Sequence, residues 1–192
     1  MTDDDQHAKG TVSYLMEMGA LKRARRSGWW IAGVKDPETI AEHSFRTAVI
    51  GSVLAMMEGA DPAKVALLCT FHDTQETRVG DIPWIGRRYL TAASNEDVTA
   101  DQVADAHPAV ASGIQAIVAE YEHGDSPEVV VAHDADKLEC MIQGLEYLEQ
   151  GYVNAREWVD STRAKLKTAS AIALADAAQN MTSIDWQRTY LR

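Results

Sequence analysis

Thr70-Phe71-His72-Asp73-Thr74-Gln75-Glu76-Thr77-Arg78-Val79-Gly80-Asp81 follows the apolar run Val65, Ala66, Leu67, Leu68, Cys69, and the fold class turns on how that run ends. A helix so uniformly apolar belongs at the centre of a helical protein. Burying His72 and Asp73 at its end is costly unless they are paired or bound to a metal. Neighbouring helical residues point about 100° apart, so both reach one ion only beside a helix end. The turn Arg78-Val79-Gly80-Asp81-Ile82-Pro83 supplies that end. A neutral nitrogen beside an anionic oxygen suits zinc, manganese, cobalt or iron, and magnesium less well. Further donors stand upstream in Glu42-His43 and downstream in Asp136. Glu76 lies four residues after His72, on the same face, and is a candidate for acid–base work beside the ion. Its plainer reading is a surface carboxylate.

A chain of 192 residues fits one domain over residues 1–192, long enough to bury a substantial core. It is 46% apolar but only 7% aromatic, with few glycine-proline clusters, which predicts an all-α fold. The formal charge of -11 argues against a surface that grips nucleic acid, since counterion release needs basic surface. A phosphorylated small molecule remains open, because a few local cations and a metal override the global sign. Cys69 and Cys140 sit in apolar helical patterns and read as buried free thiols. No apolar stretch approaches the ~18 residues of a membrane span, and Met1-Thr2-Asp3-Asp4-Asp5 is not a signal peptide. A cytoplasmic protein is expected.

Outward from the central stretch, residues 6–18 predict a first helix carrying Val12, Leu15, Met16 and Met18. Lys22, Arg23, Arg25 and Arg26 then run into Trp29 and Trp30. They form either a phosphate clamp with an indole to cover a base or sugar, or a solvated loop whose tryptophans plug the core. Thr39 is the expected N-cap of a helix bearing His43 and the apolar series Phe45, Ala48, Val49, Val53, Met56. Residues 84–90 read as helical, Asn95-Glu96-Asp97 as a cap, and 109–121 as an amphipathic helix. Ser126-Pro127 opens a helix to about residue 150, with Asp136 near the buried stripe and Asp134 turned about 200° away toward solvent. A last long helix over 155–178 carries Trp158, and the tail with Trp186 and Tyr190 packs back or marks a subunit contact.

The ordered set His43, His72-Asp73, Asp136 resembles the HD-domain metal-dependent phosphohydrolases. Leu21-Lys22-Arg23…Arg26-Ser27-Gly28-Trp29, Ala41-Glu42-His43-Ser44, Glu76…Gly80-Asp81-Ile82 and Asp134-Ala135-Asp136-Lys137-Leu138-Glu139 narrow it. They look like the 5′-deoxynucleotidase branch, the YfbR-like group with the HD domain-containing protein 2 type. The likeness spans about residues 12–165. It implies a helical HD-domain bundle and one divalent ion held by His43, His72, Asp73 and Asp136. It also implies a homodimer that hydrolyses deoxynucleoside 5′-monophosphates. By the same resemblance Arg26 contacts phosphate, Glu76 is the catalytic glutamate, and Asp81 lines the nucleotide pocket. Trp29 departs from the bacterial pattern, since Ser27-Gly28 stand between it and Arg26. That leaves the stacking of base or sugar open.

The implied chemistry uses Arg26, helped by Lys22 or Arg23, to neutralise phosphate charge. Glu76 and Asp81 share the placing of water and the protonation of the leaving 5′-oxygen. Two rivals stand beside this reading. A two-metal HD phosphodiesterase or di-iron oxygenase needs extra histidines, for which His107, His123 and His133 are available. A non-catalytic helical binder would keep a metal for structure alone, with no use for Arg26 or Glu76.

Overall fold

The computed structural model describes residues 2–188 together with Tyr190 and Leu191. Its helices are α1 (Asp3–Met18), α2 (Gly28–Ile31), α3 (Ile40–Glu58), α4 (Pro62–Phe71), α5 (Glu76–Val79) and α6 (Asn95–Gln102). After these come α7 (Pro108–His123), α8 (Pro127–Glu149), α9 (Arg156–Arg163), α10 (Ala169–Ala178) and α11 (Asp185–Arg188). Among the described residues there is no strand, only an isolated bridge between Arg25 and Thr39, so the all-α expectation holds. None of these helices is long and apolar enough to cross a membrane.

Helices α3, α4 and α8 pack on one another, with α7 against α4 and α9 against α8. Leu54, Val65, Leu68, Ala132, Ala135, Leu138 and Met141 fill the space between them. Gly51 allows the close approach of α3 and α4: a Cβ there would lie 2.8 Å from Cys69 Sγ and 2.9 Å from Val65 Cγ1. Thr39 caps α3 as expected, in a reciprocal box with Glu42. Glu42 is thereby used for capping rather than for the metal. Both cysteines are free, Cys69 buried and Cys140 half-buried.

Five expectations need correction. The apolar series on α3 faces outward, with Phe45 72% and Met56 68% exposed, while His43, Thr47, Gly51 and Leu54 take the buried face. Leu15 and Met16 on α1 are likewise exposed, and Tyr14 is the buried residue. Residues 84–90 give only a short 3-10 turn, Gly86–Arg88. The expected last long helix is broken between α9 and α10, and Asp134 explains the break. Far from facing solvent, Asp134 is fully buried and accepts the backbone N–H groups of Lys167 and Thr168 and the Thr168 hydroxyl. Those donors cap the start of α10, and a buried carboxylate without them would be costly.

Candidate metal centre and cleft

His72 is the C-cap of α4, so its ring leaves the helix axis where Asp73 also turns inward. His43 comes from the first turn of α3 and Asp136 from the middle of α8. The three elements bring four donors together. His43 Nε2 lies 3.3 Å from His72 Nε2, 3.2 Å from Asp136 Oδ1 and 3.7 Å from Asp73 Oδ2. His72 Nε2 lies 3.2 Å from Asp73 Oδ2 and 3.8 Å from Asp136 Oδ1. Bonds of about 2.1 Å around one ion set neighbouring donors about 3.0–3.5 Å apart, a range that holds the 3.2 and 3.3 Å distances here, while the 3.7 and 3.8 Å ones are slightly wider.

Ring tautomers point the same way. His72 Nδ1 is 2.7 Å from the Cys69 carbonyl, which can only accept, so that nitrogen carries the proton. His43 Nδ1 is 2.5 Å from Glu139 Oε2 and is fixed in the same sense. With Nδ1 committed on both rings, each turns Nε2 toward the other across 3.3 Å, so Nε2 is the nitrogen each ring presents to a cation held between them. Glu139 is fully buried and held by Arg46 Nε at 2.8 Å, and Arg46 reaches on to Gln143 and Glu146. Sequence reading quoted Glu139 in the motif yet gave it and Arg46 no role. The signal was available: Glu139 follows Asp136, and Arg46 follows His43, by three residues on one helical face.

A cavity of about 320 Å³ opens from this centre, lined by Arg26, Asp73, Glu76, Asp81, Trp84, Arg87, Asp136, Trp158 and Lys165 among others. A second, of about 520 Å³, shares Asp73, Glu76, Ile82 and Arg87 with it and runs to Thr91 and Asn95. Arg26 Nη1 sits 3.2 Å from Asp73 Oδ2. Burial raises the Asp73 carboxyl, but His72 and Arg26 outweigh it and hold the group at about 2. Glu76 experiences the opposite balance. Burial, then the charges of Asp73 and Asp81, push it up to about 9, and its Oε2 has no hydrogen-bond partner. Burial and neighbouring carboxylates favour the protonated form of such a carboxyl, the form that donates a proton. Asp81 Oδ2 accepts the Ser27 N–H at 2.6 Å, tying the loop after α5 to the Arg26 segment.

The structure thus gathers His43, His72, Asp73, Asp136, Arg26, Glu76 and Asp81 around one cleft. Lys22 and Arg23 do not join them: both are exposed, and Arg23 donates back to the Gly19 carbonyl. Arg87 and Lys165 are the cations that line the cleft instead. Trp29, read as a possible cover for base or sugar, is a core residue at 2% exposure. Its indole N–H donates to Glu38, and Tyr147 and Trp158 flank the ring. Of the spare histidines, His107 caps α7, His123 pairs on the surface with Glu96, and His133 stacks on Tyr121 at 4.4 Å.

Comparison with known proteins gives this architecture relatives. The chain is 27% identical over 173 residues to 5'-deoxynucleotidase HDDC2 of Xenopus laevis, covering 88% of this chain and 86% of that one. It is 27% identical over 171 residues to 5'-deoxynucleotidase HDDC2 of Homo sapiens, covering 87% and 83%. Among solved structures, a conserved hypothetical protein from Pyrococcus furiosus superposes with a TM-score of 0.73 at 27% identity, over 89% of this chain and all of that one. The family model described as HD domain matches residues 18–177, a span that takes in every donor of the centre, and the chain belongs to that family.

Proposed function

We propose that this protein is a metal-dependent phosphohydrolase that removes the 5′-phosphate from deoxynucleoside 5′-monophosphates. The observation that carries the reading is the convergence of three kinds of group on one cavity. Imidazole and carboxylate donors lie at its base, Arg26 lies beside them, and Glu76, its carboxyl raised by burial, completes the set. The names of the curated relatives at 27% identity support the substrate class. His43, His72, Asp73 and Asp136 would hold one divalent ion per chain. Two nitrogen donors favour manganese, cobalt, zinc or iron over magnesium. When bound, that ion supplies Lewis acidity toward a phosphoryl oxygen and the attacking water.

The chain's own groups do the rest. Arg26 shifts its fork from Asp73 to phosphate oxygens and neutralises charge that grows in the transition state. Glu76 gives its proton to the leaving 5′-oxygen as the P–O bond breaks, which spares the nucleoside from departing as an alkoxide. Asp81 holds the Arg26 segment in register through Ser27 and lines the nucleoside side. His107 is spent on the α7 cap and His123 on a surface pair with Glu96, which weighs against a two-metal centre; His133 stacks on Tyr121, whose ring also lies against His72. The outward apolar face of α3, continuous with Ile142, Leu174 and Met181 across a groove of about 260 Å³, supports a homodimer. The reading is of a cytoplasmic enzyme whose partner is a small nucleotide, not a nucleic acid.

Phosphate release from 5′-dNMPs, 5′-NMPs, dNTPs and a cyclic dinucleotide tests this, with metal-stripped protein reloaded with each candidate ion. Selective release from dNMPs is expected. Turnover of only a triphosphate or a diester overturns the substrate.

A further inference from the structure

We infer that the loop over residues 82–90 forms the nucleoside wall of the cleft, with Trp84 stacking on the base; this rests on the nucleotide reading above. The question arises because Trp29, the indole nearest Arg26 in sequence, touches the cavity yet is only 2% exposed. It is buried among Tyr147 and Trp158, and its N–H is committed to Glu38. Trp84 is the reverse case. It is 70% exposed and lines the same cavity as Arg26, Asp73 and Glu76.

Local structure holds Trp84 at that place. The loop is pinned where it starts, by the Asp81 bond to Ser27, and it turns back through the Gly86 N–H to the Pro83 carbonyl at 2.7 Å. Gly86 leaves little room in that turn, since a Cβ there would come within 3.2 Å of Ile82 Cγ2. Facing chemistry is also suited to a nucleoside. The other wall is α9, with Trp158, Ser161 and Thr162, a mixed aromatic and hydroxyl surface. Arg87 and Lys165 line the cavity and form no ion pair among the described residues, so an anionic ligand meets cations not already neutralised. An indole face accepts any base, because every base has a π-surface to stack on it. The loop therefore confers affinity for nucleotides as a class and little choice among bases.

The test compares dAMP and dCMP with 2-deoxyribose 5-phosphate, which offers the same phosphate and sugar without a base. In metal-loaded Trp84→Ala, the ratio of kcat/KM for either nucleotide to that for the sugar phosphate should fall about tenfold or more, chiefly through KM. Trp84→Phe should keep most of the ratio. As a measurement independent of turnover, dAMP should quench the tryptophan fluorescence of the metal-free wild type, and Trp84→Phe should lose most of that quench, leaving only the share of Trp158 on the facing wall. An unchanged ratio in Trp84→Ala, or an undiminished quench in Trp84→Phe, overturns the assignment. Wild-type protein inert toward both nucleotide and sugar phosphate would refute the phosphohydrolase reading instead, and the quench would still decide the loop.

Discussion

The two sides of the metal centre are built on opposite principles. On the helical side, buried His43 and Glu139 and half-buried Arg46 form a chain between α3 and α8, each polar atom engaged. On the loop side, Glu76, Trp84 and Arg87 stand half-buried or exposed between two cavities, and Glu76 leaves an oxygen unpartnered. The first arrangement fixes ligand direction and gives up freedom to do so. The second leaves groups free for a molecule that comes and goes. An enzyme that must hold an ion permanently and a nucleotide briefly has a use for both.

The largest effect should come from the shared base of the two sides. His72→Ala removes one of the two converging lone pairs and is expected to abolish both metal retention and turnover, read by metal content per chain and by phosphate release. Full metal content in that variant would break the ligand assignment. Glu76→Gln sharpens the contrast, because it alters the loop side alone. It should retain the ion and lose about 10²–10⁴-fold in kcat. Turnover at the parental rate would remove Glu76 from the proton-transfer role. Glu139→Gln acts on the helical side: the amide still contacts His43 but loses the charge that orients it and that faces Arg46. About 10–100-fold weaker metal binding is expected, with a smaller loss of kcat once metal is saturating. If kcat at saturating metal fell as far as in Glu76→Gln, the division of labour between the two sides would be wrong.

Much of the helical side was legible in the sequence, because helix period and donor chemistry are local properties. The apolar run into His72-Asp73 and the Thr39 cap each carry their own signal. What escaped depended on facts the period does not contain. Phe45, Val49, Val53 and Met56 repeat as a core face should, yet the core side of α3 is the one that carries His43 and Gly51. An apolar stripe says that something covers it, not whether the cover is the same chain. Asp134 was misread for the complementary reason. It stands four residues before Leu138 and seven before Met141, on the apolar stripe itself rather than turned away from it. Its partners Lys167 and Thr168 are 33 and 34 residues away, beyond any local pattern. The loop side was hardest to read, since residues 82–90 have no period and Trp84 shows its place only against α9.

A last and smaller effect tests whether the loop side, for all its openness, is anchored from behind. Glu17 on α1 accepts hydrogen bonds from Thr77, Arg78 and Gln102, and so braces the turn that carries Glu76. The Arg78 side chain, with Thr77 and Gln102 assisting against burial, lowers its carboxyl to about 2. The folded state therefore releases the Glu17 proton at lower pH than the unfolded chain. The resulting stability is fully present above the ordinary value of 4.5 and is lost as pH falls from there toward about 2. Arg78 is 40% exposed, so solvent screening reduces the contribution to about 1–2 kcal/mol. Thermal unfolding of wild type and Glu17→Gln should show the variant less stable at pH 7, with the gap closing as pH drops from 4.5 to 3. A gap that stays constant over that range would mean that the ion pair does not brace the turn. The loop side would then owe its position to Asp81 and Ser27 alone.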